Sequence, residues 1–169
     1  MKATSSSARL RHRRAVRDGR ALLGQGATTV DDLVNALARK RDRDVVVLPV
    51  ALSSNAPSGA WIAMTDRDYL LVPTTASPTR RRAILCHEVG HILLGHEPAL
   101  HDSMTPELMH ALAPTLPFET TRKVLQRTGY TNRQEAAAEY VGTTLSAALE
   151  DLARAGDWEA SSRLSSRLR

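Results

Sequence analysis

His87-Glu88-Val89-Gly90-His91 has the H-E-x-x-H spacing of a zinc hydrolase. On a helix, residues four apart share a face, so both imidazoles can reach one metal ion. The Glu beside the first His then sits where it can take a proton from a metal-bound water. The flanking sequence predicts that helix. Ser77-Pro78 supplies an N-cap followed by proline at the first helical position. Leu85, Val89 and Ile92 recur at i, i+4, i+7 as an apolar stripe facing the core. Gly90 leaves room for another element to approach, and Gly95 is a C′ stop with Pro98 just beyond. The plainer alternative is a pair of core histidines satisfied by hydrogen bonds. A buried Glu between them would then need a partner of its own.

A zinc site needs a third protein ligand, and a catalytic one keeps its fourth position for water. His96 is the nearest choice, but the long metzincin motif would put its Gly and third His at positions 94 and 97. Leu94 and Glu97 stand there instead. If the helix continued, His96 would point about 140° away from His91. His101 and His110 have no motif behind them. The better candidate lies in Asn132–Tyr140, read as a second helix with Asn132 as N-cap. Glu135 and Glu139, four apart, share a face and repel unless a cation or a protonated His lies between them. One as metal ligand and the other as a carboxylate orienting a ligating His would relieve the conflict. The alanines between them allow close packing against the first helix. Two plain readings compete: Asn132 and Glu135 also fit a capping box, and Glu139 could be solvated.

His87–His96 together with Tyr130–Glu139 resembles the ImmA/IrrE family of bacterial metallopeptidases, most closely its short stand-alone branch from GC-rich genomes. The usage of 20 Arg against 3 Lys fits such a genome. The resemblance covers roughly residues 30–150. It implies a small gluzincin-like α+β domain. A short mixed or antiparallel sheet of about three strands would pack on the H-E-x-x-H helix and a Glu-bearing helix, and the C-terminal half would be mostly helical. It further implies one zinc ion per chain, His87, His91 and Glu135 as ligands, and Glu88 as catalytic base. Glu139 falls where relatives carry Asp, Asn or Glu. Val141-Gly142 stand where an aromatic and a small residue are usual, and the stretch between His91 and Glu135 is longer than in better-known relatives.

Stepping outward from these residues, the elements that must hold them are short. Residues 1–8 are expected to be disordered and 9–24 to form a basic helix, with Arg9, Arg11, Arg13, Arg14, Arg17 and Arg20 against the single Asp18. Thr29–Ala38 reads as a capped amphipathic helix with Val30, Leu33, Val34 and Leu37 on one side. Val45–Val50 reads as a strand of the buried type. Gly59–Thr65 and Tyr69–Pro73 read as a hairpin across Asp66-Arg67-Asp68. The H-E-x-x-H helix is expected at about 78–94, short helices at 105–113 and 119–128, and a long helix from about 133 to 154. The expected division is a basic, partly disordered arm over 1–26, a zincin-like domain over 27–155, and a loosely attached tail over 156–169.

Composition bounds the rest. The 169 residues can bury one core, and with aromatics at 4% that core must be Leu, Val, Ile and Ala. No apolar run approaches the length of a transmembrane span, and the Ser- and Arg-rich start has no secretory h-region. The single cysteine, Cys86, rules out an intrachain disulfide framework and fits a reducing cytoplasm; it reads as a small buried hydrophobe. The net charge of +5 concentrates before residue 44. That excess reads first as a solvated tail and second as an electrostatic arm, residues 9–20, for nucleic acid. No aromatic residue interleaves those arginines.

The expected activity is zinc-dependent endoproteolysis. Zinc activates water and polarises the scissile carbonyl, and Glu88 carries the proton to the leaving amine. An extended substrate could add to an exposed sheet edge, most readily along 59–65. Tyr130, Tyr140, His101 and His110 are the candidates for an extra oxyanion donor. The resemblance implies a regulatory protein as substrate, a helix-turn-helix repressor or an antitoxin. The alternative is a degenerate zinc-binding module acting by protein–protein binding, for example in a toxin–antitoxin pair.

Overall fold

A computed structural model describes residues 3–24, 26–51, 58–63, 66–97 and 130–167. Within them the fold is α+β. Four helices, α1 (Ala3–Leu23), α2 (Val30–Arg41), α3 (Pro78–Leu94) and α4 (Asn132–Arg167), surround three strands, β1 (Asp44–Val50), β2 (Ala60–Ala63) and β3 (Arg67–Pro73). The short helices expected at 105–113 and 119–128, and with them His101 and His110, lie outside the described residues.

The sheet is mixed, in the order β1-β3-β2. β2 and β3 form the antiparallel hairpin, with Trp61 opposite Leu70. β1 runs parallel to β3, with Val47 opposite Leu70. Its apolar run does not make β1 a strand buried on both faces, as its sequence suggested. Val45 and Val47 pack on the core, while the strand lies at a sheet edge and stays half-buried along Val45–Leu48. β3 begins at Arg67, so Arg67 and Asp68 belong to the strand and not to the turn. Asp68 is fully buried and is held by Arg41 and Arg43, the latter at 3.0 Å. Arg41 also lies 5.8 Å from the Trp61 ring, within cation–π range.

α2 starts at a capping box. The Asp32 N–H donates to Thr29 Oγ1 and the Thr29 N–H donates to Asp32. The bond from the Thr29 hydroxyl, with backbone N–H groups adding to it, holds the Asp32 carboxyl below its ordinary pKa. Arg81 clamps Asp31 through two bonds of 2.6 and 2.9 Å, tying α2 to α3.

The N-terminal segment departs most from expectation. It is helical from Ala3, whereas the sequence suggests a helix only from residue 9. The arginines hide a narrow stripe: Ala15, Gly19, Leu22 and Leu23 are buried at helical spacing. Gly19 lies so close to α4 that a Cβ there would meet Leu145 at 2.6 Å. The helix docks through its small residues and leaves the guanidinium groups outside. Among the described residues no helix is long and apolar enough to cross a membrane.

Candidate metal centre

α3 is built as its sequence predicts. Ser77 Oγ accepts from the Arg80 N–H at 3.3 Å, Pro78 opens the helix, and Gly95 closes it with φ 66°. Ile84, Leu85, Val89 and Ile92 face the core. The helix is buried around its middle turns, so Glu88 and His91 are also withdrawn from solvent, at 5% and 0% exposure.

α4 crosses α3 at backbone contact. A Cβ on Gly90 would stand 2.8 Å from the Ala138 carbonyl oxygen, and one on Gly142 would stand 2.8 Å from His87 Cα. Glycine on one helix and Ala138-x-x-x-Gly142 on the other therefore set the separation. Gly142 is the residue that lets α4 touch the backbone of His87.

The start of α4 differs by one residue from the sequence reading, with consequences for the site. The cap is Thr131, not Asn132. Thr131 Oγ1 accepts from the Gln134 N–H at 3.3 Å, and Gln134 Oε1 accepts from the Thr131 N–H at 3.0 Å. Gln134 fills the third position of the capping box, and the Glu135 carboxylate is left to turn toward α3.

There it meets both histidines. Glu135 Oε2 lies 3.2 Å from His87 Nε2 and 3.7 Å from His91 Nε2, and the two nitrogens are 3.0 Å apart. Donor atoms around a tetrahedral zinc, with bonds of about 2.0–2.2 Å, stand roughly 3.3–3.6 Å apart. The observed triangle brackets that range. The outer ring atoms point the same way. His87 Nδ1 donates to Glu139 Oε2 at 3.2 Å, and Thr143 Oγ1 donates to Glu139 Oε1 at 3.1 Å. With its proton on Nδ1, His87 presents a lone pair at Nε2. His91 Nδ1 pairs with His96 Nδ1 at 3.0 Å, and the tautomer in which His91 donates that bond presents a lone pair at Nε2. With that tautomer at both rings, two nitrogens and a carboxylate oxygen converge on one point, an arrangement that a bound cation would stabilise. His87, His91 and Glu135 are a group that could hold a metal ion.

The field of the site is consistent with that. Burial drives the His91 pKa down to about 3, aided by His87 and His96, so the ring is neutral and able to coordinate. Burial raises Glu88 to about 8, with the nearby Glu135 adding to the shift, while a hydrogen bond from the Trp61 backbone opposes it. Glu88 faces the start of β2: a Cβ on Gly59 would lie 3.3 Å from its Oε1 and 2.3 Å from Ile84. Cys86, fully buried beside His87 in the chain, has its thiol pushed up to about 12 by burial.

A continuing helix would carry His96 away from His91. In fact the chain turns at Gly95: the His96 N–H bonds the His91 carbonyl at 3.1 Å and its ring folds back onto the His91 ring. It joins the outer side of His91 and not the triangle of donors. Burial, then the positive field of His12 and Arg11, lowers its pKa. Tyr130 stacks on His91 with ring centroids 3.7 Å apart. Tyr140 is 59% exposed and lies beside His12. Three contributors escaped the sequence reading: Thr143, the Trp61 N–H and the approach through Gly142. The last was legible in principle, since Ala138 and Gly142 are small residues on the face that carries Glu135.

A helix bearing H-E-x-x-H, packed against a short mixed sheet and crossed by a carboxylate-bearing helix, defines a small zincin-like domain. The chain belongs to the IrrE N-terminal-like domain family, Peptidase_M78, which it matches over residues 38–152, about two-thirds of its length. A comparison with curated proteins gives no match.

Proposed function

We propose that this protein is a zinc-dependent endopeptidase that cleaves a regulatory protein in the cytoplasm, a DNA-binding repressor or an antitoxin being the favoured class of substrate. The observation that carries the reading is the convergence of His87 Nε2, His91 Nε2 and Glu135 Oε2 beside the buried Glu88. His87, His91 and Glu135 would hold the metal, with Glu139 and His96 orienting the two rings from outside. Zinc bound there supplies a Lewis acid that polarises a carbonyl and brings the pKa of water toward neutrality.

The remaining work falls to the chain. Glu88, in surroundings that favour its protonated form, receives the proton of the attacking water and passes it to the leaving amine. The Trp61 N–H holds that carboxylate in place. β2 is an edge strand whose neighbour among the described residues is β3, so its outer side can pair with an extended polypeptide. Membership in a peptidase family supports hydrolysis as the use of this geometry; the regulatory substrate rests on the family resemblance.

The test is metal content by mass spectrometry, then cleavage of co-expressed candidate repressors. Near one zinc per chain is expected, lost in His87→Ala. Glu88→Gln should keep the zinc and lose cleavage. Absence of zinc after reconstitution, or undiminished cleavage by Glu88→Gln, would overturn the proposal.

A further inference from the structure

A second cluster of chemistry lies on the outer side of His91. Where the N-terminal half of α1 passes the end of α3 and the start of α4, a cavity of about 380 Å³ is lined by Arg11, His12, His96, Thr131, Arg133 and Gln134, among others. Two guanidinium groups and two imidazoles line it, and no described carboxylate does. Asp18, the only acid of α1, is engaged with Arg14, Arg17 and Lys40. Arg11 and Arg133 make no ion pair among the described residues. Cations gathered in one concavity repel each other, and an anion removes that cost.

We propose that this cavity is an anion subsite that receives a carboxylate side chain, Asp or Glu, of a polypeptide lying across the metal centre. The fork of a guanidinium matches a planar carboxylate, and imidazole N–H groups add donors beside it. The concavity is of small-ligand size, suited to a side chain and not to the backbone of a duplex, which needs a row of cations along an open surface. His96 forms the wall shared with the metal centre, one ring from His91. The assignment to substrate rests on the proposed peptidase reading; anion binding by the cavity does not. It deepens that reading by selecting acidic segments as substrates.

The experiment measures fluorescence anisotropy of a fluorescein-labelled hexaglutamate peptide with the full chain carrying Glu88→Gln, so that turnover cannot intervene. Three backgrounds are compared: no other change, Arg11→Ala with Arg133→Ala, and Arg39→Ala with Arg80→Ala. The last pair removes the same charge from exposed positions outside the cavity. Hexaglutamate should bind and hexaglutamine should not, and the cavity pair should weaken binding about tenfold or more, as charge-assisted bonds do. The distant pair should change it by less than about twofold. Equal loss in both pairs would show diffuse attraction and overturn the proposal. So would a 20-base-pair duplex that displaces hexaglutamate in an Arg11- and Arg133-dependent way. All four positions are exposed, and unchanged circular dichroism checks their folding. Absent zinc would sink the peptidase reading while leaving this measurement intact, and failure here leaves zinc content and Glu88-dependent cleavage untouched.

Discussion

Gly142→Ala isolates the contact on which the proposed metal centre depends. The added Cβ would stand 2.8 Å from His87 Cα, 2.9 Å from its nitrogen and 3.0 Å from the Cys86 carbonyl oxygen, where ordinary contacts are 3.4–4 Å. All three are backbone atoms of a buried helix, so no side chain can swing aside. Relief requires α3 and α4 to part by at least about 0.4–0.6 Å, more than the roughly 0.2 Å that metal–ligand bonds tolerate. Overpacking of this kind costs about 1–3 kcal/mol, which for a domain of this size lowers Tm by roughly 3–10 °C. Because Glu135 and Glu139 ride on α4 while both histidines ride on α3, zinc affinity should fall about tenfold or more. Competition with a chromophoric chelator measures the affinity, and calorimetry the Tm. Gly156→Ala on the same helix, where a Cβ meets nothing within 4 Å, should leave the zinc affinity unchanged and raise Tm slightly, through up to about 1 kcal/mol of helix preference. Wild-type zinc affinity in Gly142→Ala would refute the argument that backbone contact sets the ligand geometry.

Glu135→Ala should abolish measurable zinc binding, whereas Glu139→Ala, which removes the partner of His87 Nδ1, should weaken it about 10–100-fold. The reverse order in the same chelator competition would exchange their roles. Asp68→Asn should destabilise the fold by about 1–3 kcal/mol in urea titration. That is below the cost of breaking a fully buried pair, because Arg41 and Arg43 remain partly solvated. A change under about 0.5 kcal/mol would show the cluster to be incidental. Cys86, buried and with its thiol pushed up to about 12, should resist iodoacetamide at pH 8 in the native protein and react once denatured; rapid native labelling would contradict its place in the core.

The legible parts of the fold are those written in local chemistry. Ser77-Pro78 and Gly95 delimit α3 because caps act within a turn of their own residue. Thr29 and Asp32 mark α2 for the same reason. The stripe on α1 was obscured because two of its members, Ala15 and Gly19, carry little hydrophobic signal, and their value lies in what they let approach. Thr131 and Asn132 are both competent caps, so the sequence does not separate them; the Gln134 side chain decides for Thr131.

The sequence by itself determined that two imidazoles and a carboxylate share one helix, because the helical repeat converts a spacing of four into a common face. It also determined that Glu135 and Glu139 share a face of another helix. Which of the two reaches the Nε2 atoms of both histidines, and that His96 joins the outer side of His91, was decided only in three dimensions. Those outcomes depend on the crossing of α3 and α4 at Gly90, Ala138 and Gly142 and on the reversal of the chain at Gly95. A one-dimensional pattern carries the rotation of a side chain about its own helix axis, but not the separation and angle between two helices, which close packing of distant residues sets.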